Sequence, residues 1–575
     1  MPDTSLLSPY VVRLGGGLVL DKDTFSIPPG SALQLQNFEP DINGGYRRLN
    51  GFDEYNASIV PQTSSSSEAV LGIHVYKDQV LVARGEKVFK GTGATTLLNG
   101  AVLVGDTTLT VDSTTGFSPT GTLLIGTEQI TYTGVTATTF TGCTRGANGT
   151  TSAGYVDNTP VAQYWTEIDT GRTSAGRYDF TNFNFDNTEK VIFCDGANNA
   201  SSYNNTAVTD LNAAGAPADP QFVAIFRDHV FFGGMSTNPQ EIVFTAPYDE
   251  TDFSTANGAG SIRFESAVRR IKSFRERLFV FCEDQIYLVT GSSVADFAVQ
   301  PVTRNIGCVD GFSIQEIGGD LIYLAPDGLR TVAGTQKNDD IELGTVSKQI
   351  QPRLDNVSTD RISSLVIRKK SQYRLFFPAD TQLESSAPGV IGVIKAGVEG
   401  GIGWEYSDIK GIKPSCCATG FINGVETVLH GGYDGYVYQQ EIGDTFNGTN
   451  IQAIYQGPDF TMGDAGIRKM MQRIIWNYDN EGNVDADFRV RYDFSSSAVP
   501  QPAQYPLTTG AAIAIYGNPS SLYATAVYGS SGTPLVRQSI EGSGFTVSIR
   551  LDDKDGADPI SIKGYQLEFT PGGRR

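Results

Sequence analysis

The sequence is short of the residues that most chemistry needs. Its 575 residues include three histidines, five methionines, three tryptophans and six cysteines. His74, His229 and His430 stand far apart, so no histidine pair forms a zinc site, and any Ser-His-Asp arrangement would have to recruit one of the three. Cys143, Cys194, Cys282, Cys308, Cys416 and Cys417 show no C-x-x-C spacing. In a chain this long they indicate neither a metal cluster nor a disulfide framework. Reduced, buried thiols are expected, consistent with folding in a cytoplasm. Phosphate-cradling glycine loops, the G-x-S-x-G elbow and H-E-x-x-H are missing. No apolar run approaches the roughly 18 residues of a membrane helix, and the opening residues lack the basic-then-apolar pattern of a signal peptide. No cofactor and no metal are expected, and no catalytic residue can be nominated. DDKDGAD (552–558) partly resembles a calcium loop but lacks its closing glutamate, so it reads as a hairpin turn.

What is abundant points one way. There are 65 glycines and 26 prolines beside 25 tyrosines and 31 phenylalanines, the mixture that many short strands joined by tight turns require. The fold class is all-β. The formal net charge is −20. Residues 1–51 hold five acids and four bases, and 452–575 hold 13 and 11, so −17 falls within 52–451. A protein that grips phosphate backbone carries the opposite sign. An acidic surface keeps a protein soluble, and an acidic lumen would let DNA slide past without sticking.

From about residue 70 one unit recurs: an apolar strand, a turn with Gly, Asp or both, and a second strand. Its central turns fall near Gly85, Asp195, Gly233, Asp284, Asp327, Pro378 and Asp434. Only the first interval is much too long. Residues 94–164 account for it, being rich in Thr and Gly with four acids and one base. They read as a small β module inserted in a loop. A period of roughly 40–50 residues made of short strands is the mark of a β-propeller, here with about seven blades and six to eight acceptable. A two-sheet sandwich is the runner-up architecture. The domains are therefore an N-terminal arm (1–55), a propeller (56–93 and 165–451) carrying the 94–164 module, and a C-terminal β-sandwich-like domain (452–575). In the last, VDADFRVRYDF alternates strictly, and ISIKGYQLEF slips phase near Gly564, where a bulge is expected. IRKMMQRIIW (467–476) fits helix or strand equally. LQLQNF (33–38) reads as one strand of the arm.

The arm also carries a resemblance. GGGLVLDKDTFSIPPGSALQLQNFEPDINGGYRRLNGF is similar to the opening of the tail nozzle and tail-hub proteins of short-tailed bacteriophages. The shared pattern falls on Gly16-Gly17, Pro28 to Gly30, Asn37, and Gly45 with Arg47, Arg48 and Gly51. FVAIFRDHVFFGGMSTNPQEIVFTAPYDETDF and RRIKSFRERLFVFCEDQIYLVTG resemble central blades of the same family. The 94–164 module departs from it and resembles a Thr/Gly-rich module of assorted phage tail proteins. The resemblance implies a non-enzymatic virion protein, assembled in the host cytoplasm into a closed, sixfold homo-oligomeric ring. That ring would lie below the portal adaptor protein, carry tail fibre, needle or plug proteins, and pass double-stranded DNA without binding it specifically. Arg13, Arg47 and Arg48 of the arm are the candidate contacts to a neighbouring subunit or the adaptor. The alternatives are a phage adhesin or glycan-binding propeller, which would need aromatic platforms, and a glycan-cleaving enzyme, which would need paired carboxylates.

Overall fold

The computed structural model describes residues 7–574 apart from 62–68, 175, 186, 333–344, 356–357, 359–360, 379–388, 397–401, 481–484, 509–534 and 554–557. Seven antiparallel sheets surround one axis. Blade 1 comprises Val70–Tyr76, Gln79–Arg84, Lys87–Gly91 and Thr166–Thr170, and blade 2 comprises Asp179–Phe185, Thr188–Cys194, Ser201–Tyr203 and Val208–Asp210. Blade 3 runs from Phe222–Phe226 to Gly260–Arg263, and blade 4 from Val268–Phe274 to Ala298–Thr303. Blade 5 shows three strands, Gln315–Ile317, Asp320–Ala325 and Gly328–Thr331. Blade 6 spans Ser363–Ile367 to Ile402–Ile409, and blade 7 begins with Cys416–Ile422, Val425–Gly431 and Val437–Gln440. The chain is a seven-bladed β-propeller. Six of the seven turn positions read from the sequence fall between the second and third strands of their blades, and Gly233 is the last residue of the second strand of blade 3.

Blades hold together because each sheet buries a face on the next. Phe231, Ile242 and Phe244 of blade 3 share a core with Leu278, Val280 and Tyr287 of blade 4, and Tyr76, Leu81 and Val88 of blade 1 meet Tyr178, Phe193 and Tyr203 of blade 2. Val70 and Val82 of blade 1 likewise pack with Leu429 and Val437 of blade 7, which closes the circle. The outer strand of blade 7 comes from the arm: Phe52–Glu54 pairs antiparallel with Val437–Gln440, Phe52 opposite Gln440. Two ends of the chain, nearly 400 residues apart, thus complete one sheet.

The inserted module leaves blade 1 after its third strand and returns into its fourth. It has its own core, including Leu98, Leu123, Ile130, Phe140 and Val161. Its one base, Arg145, donates Nε and Nη2 to the two oxygens of buried Glu128, both at 2.8 Å. Its ends meet, with the Gln163 amide donating to the Ala94 carbonyl at 2.9 Å.

The C-terminal region forms two facing sheets. One contains Ile467–Asn480 and Ile560–Arg574, flanked by Ser8–Arg13, Phe38–Pro40, Tyr46–Arg48 and Leu535–Ser539. The other contains Ala453–Gln456, Val547–Asp553, Asp485–Tyr492 and Tyr505–Thr508. Trp476, Phe488, Val490, Ile549 and Tyr565 fill the space between them. Residues 467–476 are therefore strand. The slip at Gly564 is a bulge: Asn477 pairs with Gly564 and Tyr478 with Ile562, leaving Lys563 over. Two expectations change. LQLQNF is broken at Asn37, whose φ of 55° turns the chain from one sheet of the sandwich to the other. Nor are arm, propeller and sandwich separate bodies, because Gln34–Gln36 lies between blade 6 and Ala453–Gln456 and makes them one nine-stranded sheet.

Replacing 94–164 by a Gly-Ser linker should leave the propeller folded, since the module's core is its own and its ends are already adjacent. The melting temperature is expected to stay within about 3 °C of the parent; calorimetry checks it.

Candidate functional site

The three arm arginines part company. In Tyr46–Arg48 alternate side chains face opposite ways, and Tyr46 and Arg48 turn into the sandwich. Arg48 is fully buried, its Nη1 3.3 Å from both Asp553 oxygens. Asp553 stands in phase with Val547, Ile549 and Leu551, so its carboxylate is delivered to the core face. Arg47 points the other way, 3.6 Å from Glu39, and donates to Asn50 Oδ1 at 2.9 Å. Arg13 alone is exposed, and its side chain has no hydrogen bond or ion pair among the described residues. Arg48 is enclosed within its own chain, which corrects the expectation that it meets a neighbouring subunit; Arg47 is partly exposed and already has partners in its own chain.

Around Glu39 lies a buried cluster of charge. Lys370 donates Nζ to Glu39 Oε1 at 2.6 Å and also to Glu441. Gln372 donates to the second Glu39 oxygen at 2.9 Å. Arg374, 1% exposed, reaches Gln372 at 2.6 Å, Gln440 at 2.8 Å and Glu441. Glu39 and Asn50 belong to the arm, 370–374 to blade 6, and Gln440 and Glu441 to the end of blade 7. Burial pushes the Glu441 pKa up, but Arg374 and Lys370 win and hold it at about 2. Asn37 completes the joint. Its side chain donates to the carbonyls of Lys410 and Gln452, at 2.9 and 2.8 Å, and accepts from the Lys410 amide at 2.8 Å.

Two glycines of the opening motif allow the close approach. A Cβ on Gly51 would sit 1.9 Å from the Thr445 carbonyl oxygen, and one on Gly17 (φ 66°) 2.7 Å from the Tyr406 amide. Sequence reasoning found the motif but not its partners. Glu39, Lys370, Arg374 and Glu441 carry no local signature, and only the unusual placing of Arg374 within the apolar strand QYRLFF hinted at one.

The histidines are structural. His229 Nδ1 lies 2.6 Å from the Thr245 carbonyl among phenylalanines. His430 is stacked on Tyr438 and meets the edge of Phe52, the first residue of the closing strand. Burial, helped by nearby Arg374, pushes its pKa down to about 3. His74 lies 2.7 Å from Asn182 at the rim of a cavity of about 230 Å³ on the propeller axis. The first strands of six blades contribute to that cavity, with Arg177, Arg270, Lys272 and Arg368 set against Asp179 and Glu316. Among the described residues no cluster of His, Cys, Asp and Glu is arranged to hold a metal ion, and no helix is long and apolar enough to cross a membrane.

No family model and no curated protein matches this chain. Similar solved structures include Hsv2p of Kluyveromyces lactis, 7% identical with a TM-score of 0.27, covering 59% of this chain and 97% of that one. The WD40 domain of Neurospora crassa Pan2 is 7% identical with a TM-score of 0.30, over 69% and 97%. BamB of Moraxella catarrhalis is 10% identical with a TM-score of 0.30, over 67% and 97%. The blade count rests on the strand pairing itself.

Two outcomes are expected at the joint. Arg374→Met, which leaves Glu39 and Glu441 short of a buried partner, should cost about 3–5 kcal/mol in denaturant unfolding. His430 titrates at 6.5 when unfolded but near 3 when folded, so the unfolded chain binds the extra proton between those values. Stability should therefore fall as pH drops below 6.5, by up to about 1.4 kcal/mol per pH unit from this residue. Glu441, 4.5 unfolded and about 2 folded, adds a loss of the same sign below 4.5. His430→Gln should flatten the slope between pH 6.5 and 4.5 and leave the Glu441 part.

Proposed function

We propose that this chain is a non-enzymatic structural subunit of a bacteriophage tail, a nozzle or hub protein that assembles into a closed ring extending the DNA-ejection channel below the portal adaptor. The observation that carries the reading is where the nozzle-like opening sequence lies. Gly17, Asn37, Arg47, Arg48 and Gly51 all sit at the junction that binds the propeller to the sandwich. A motif concentrated at a mechanical joint, and not at a cleft, suits a protein whose work is to hold shape under load. In this reading the assembly is a ring of six copies, placed in the virion after assembly in the host cytoplasm. Exposed Arg13 is the arm cation left for the adaptor or the next subunit. Tail fibre, needle or plug proteins attach to outward surfaces. Double-stranded DNA passes between the subunits, where the acidic excess of residues 52–451 repels its backbone.

Mass measurement on the purified full-length chain tests this directly. A particle near six times 61.7 kDa, alone or once mixed with the adaptor ring, is expected. A chain that stays monomeric in both conditions while binding or cleaving glycans would overturn the proposal in favour of an adhesin or an enzyme. In assembled particles, replacing lumen-facing carboxylates by amides should slow DNA ejection, measured by dye uptake; unchanged kinetics would count against an acidic lumen.

A further inference from the structure

The cavity on the propeller axis is built with donors that the chain itself does not use. Arg270 and Lys272 are alternate residues of the first strand of blade 4, so both face the axis. Arg270 gives Nη2 to Asp179 Oδ1 at 2.7 Å, while its Nε and Nη1 are buried with no hydrogen-bond partner among the described residues. Arg177, which enters the first strand of blade 2, uses its Nη2 on the Ile362 carbonyl and on Ser363 Oγ, the latter at 3.1 Å. Its Nη1 lies 3.6 Å from Asp310, and its Nε is likewise buried and unpartnered. Lys272 has no hydrogen bond or ion pair among the described residues, and burial together with Arg270 and Arg368 outweighs Asp179 and Glu316 to push its pKa down.

Both guanidiniums lie over one aromatic ring. The Arg177 Cζ is 3.5 Å and the Arg270 Cζ 5.0 Å from the centre of Phe312. Stacking holds the planes and leaves the N–H edges to point elsewhere, the arrangement that suits an oxyanion. The nearby carboxylates leave several of the cationic donors unused. Asp179 is shared between Arg270 and the Val223 amide, and Asp310 accepts from the amides of Phe312 and Ile362. Glu316 is exposed and Glu426, which faces Arg368, takes two backbone amides. Three buried guanidinium nitrogens and the Lys272 ammonium are left with donors that an oxyanion in the cavity would satisfy.

We propose that the propeller axis binds a small multivalent oxyanion of the phosphate class between Arg177, Arg270 and Lys272. The volume of about 230 Å³ admits a free anion and excludes a nucleic-acid duplex. The site does not depend on the ring reading.

The test uses the full chain and inorganic phosphate in a chloride buffer, with ionic strength held constant. Phosphate at 100 times its dissociation constant should raise the melting temperature by about 3 °C, and titration calorimetry should show one site per chain. Lys272→Met should lower the affinity at least about tenfold. Without phosphate this variant should melt no lower than the parent, since it removes an unpaired, half-buried ammonium; a general folding defect would do the opposite. A short DNA duplex should not displace the anion. Chloride giving the same shift, Lys272→Met keeping the full response, no heat of binding, or displacement by duplex DNA would each overturn the proposal.

Discussion

The fold depends on four charges meeting at one place: buried Glu39 of the arm and buried Arg374 of blade 6, with partly buried Lys370 of blade 6 and Glu441 after blade 7. Burying an ion pair rarely stabilises a protein more than well-packed apolar side chains would, yet removing one partner from a finished cluster is severe. That asymmetry is useful here. Glu39 is 331 residues from Lys370, and neither can be satisfied until both are in position. The cluster therefore specifies how the arm seats. An apolar seam would tolerate a shift of register along the strand; hydrogen-bonded carboxylates at 2.6 to 2.9 Å do not. The order of events follows. The arm precedes its partners in blade 7 and in strand Ile560–Arg574 by several hundred residues, so completing blade 7 and the sandwich waits for both.

A second constraint comes from sheet edges. A propeller closed only by packing would leave the outer edges of blades 6 and 7 open, and open edges recruit other chains. The arm covers both. Phe52–Glu54 finishes blade 7, and Gln34–Gln36 lies against the last strand of blade 6. The second contact is parallel and has a single residue pair in register, Gln36 with Asp408. So short a ladder would hold little by itself, which explains why the Asn37 side chain adds three hydrogen bonds beside it. Because the same strand continues into the sandwich sheet, the angle between propeller and sandwich is set by backbone pairing and not by a flexible linker. The charged two-residue turns act similarly at the rim. Asp78 and Glu276 adopt left-handed φ of 59° and 57°, which Asn or Gly would take more readily. Each reaches the preceding blade, Asp78 through the Asn423 amide at 2.6 Å and Glu276 through an exposed contact with Arg227 at 3.4 Å.

The blades were legible because their signal is local and repeated. A strand, a Gly or Asp turn and a strand can be read in 15 residues, and seven copies correct one another. The module at 94–164 was legible because it interrupted that period. The alternation of VDADFRVRY placed Ala486, Phe488, Val490 and Tyr492 inward, and all four are buried. What local reading could not supply was partnership. LQLQNF alternates perfectly, yet Asn37 breaks it, since the decision lies with carbonyls at 410 and 452. IRKMMQRIIW was undecided because a long strand buried on one face and bulged against its neighbour loses strict period two; three register shifts along Ile467–Asn480 show this. Arg47 and Arg48 were found, but adjacent strand residues face opposite sides, and only the sheet shows that one serves the propeller and the other the sandwich. The axis cations were missed because Arg177, Arg270 and Lys272 are scattered over about 100 residues and converge only once the ring exists.

The sign of charge at the axis bears on where DNA could run if the chain lines its passage. Taken as a whole, residues 52–451 are strongly acidic, which would suit a wall that nucleic acid must not adhere to. The innermost strands are the exception, since they collect arginine and lysine in a space of about 230 Å³. A duplex is far too wide for that space, and a phosphate backbone at its mouth would be held, not released. The propeller centre is therefore the wrong conduit on two separate physical grounds, size and sign. A passage that repels DNA would then have to be formed by surfaces other than the propeller centre, and one chain cannot surround it. If the chain does line such a passage, several copies would have to share it, each propeller standing beside the channel with its own centre closed.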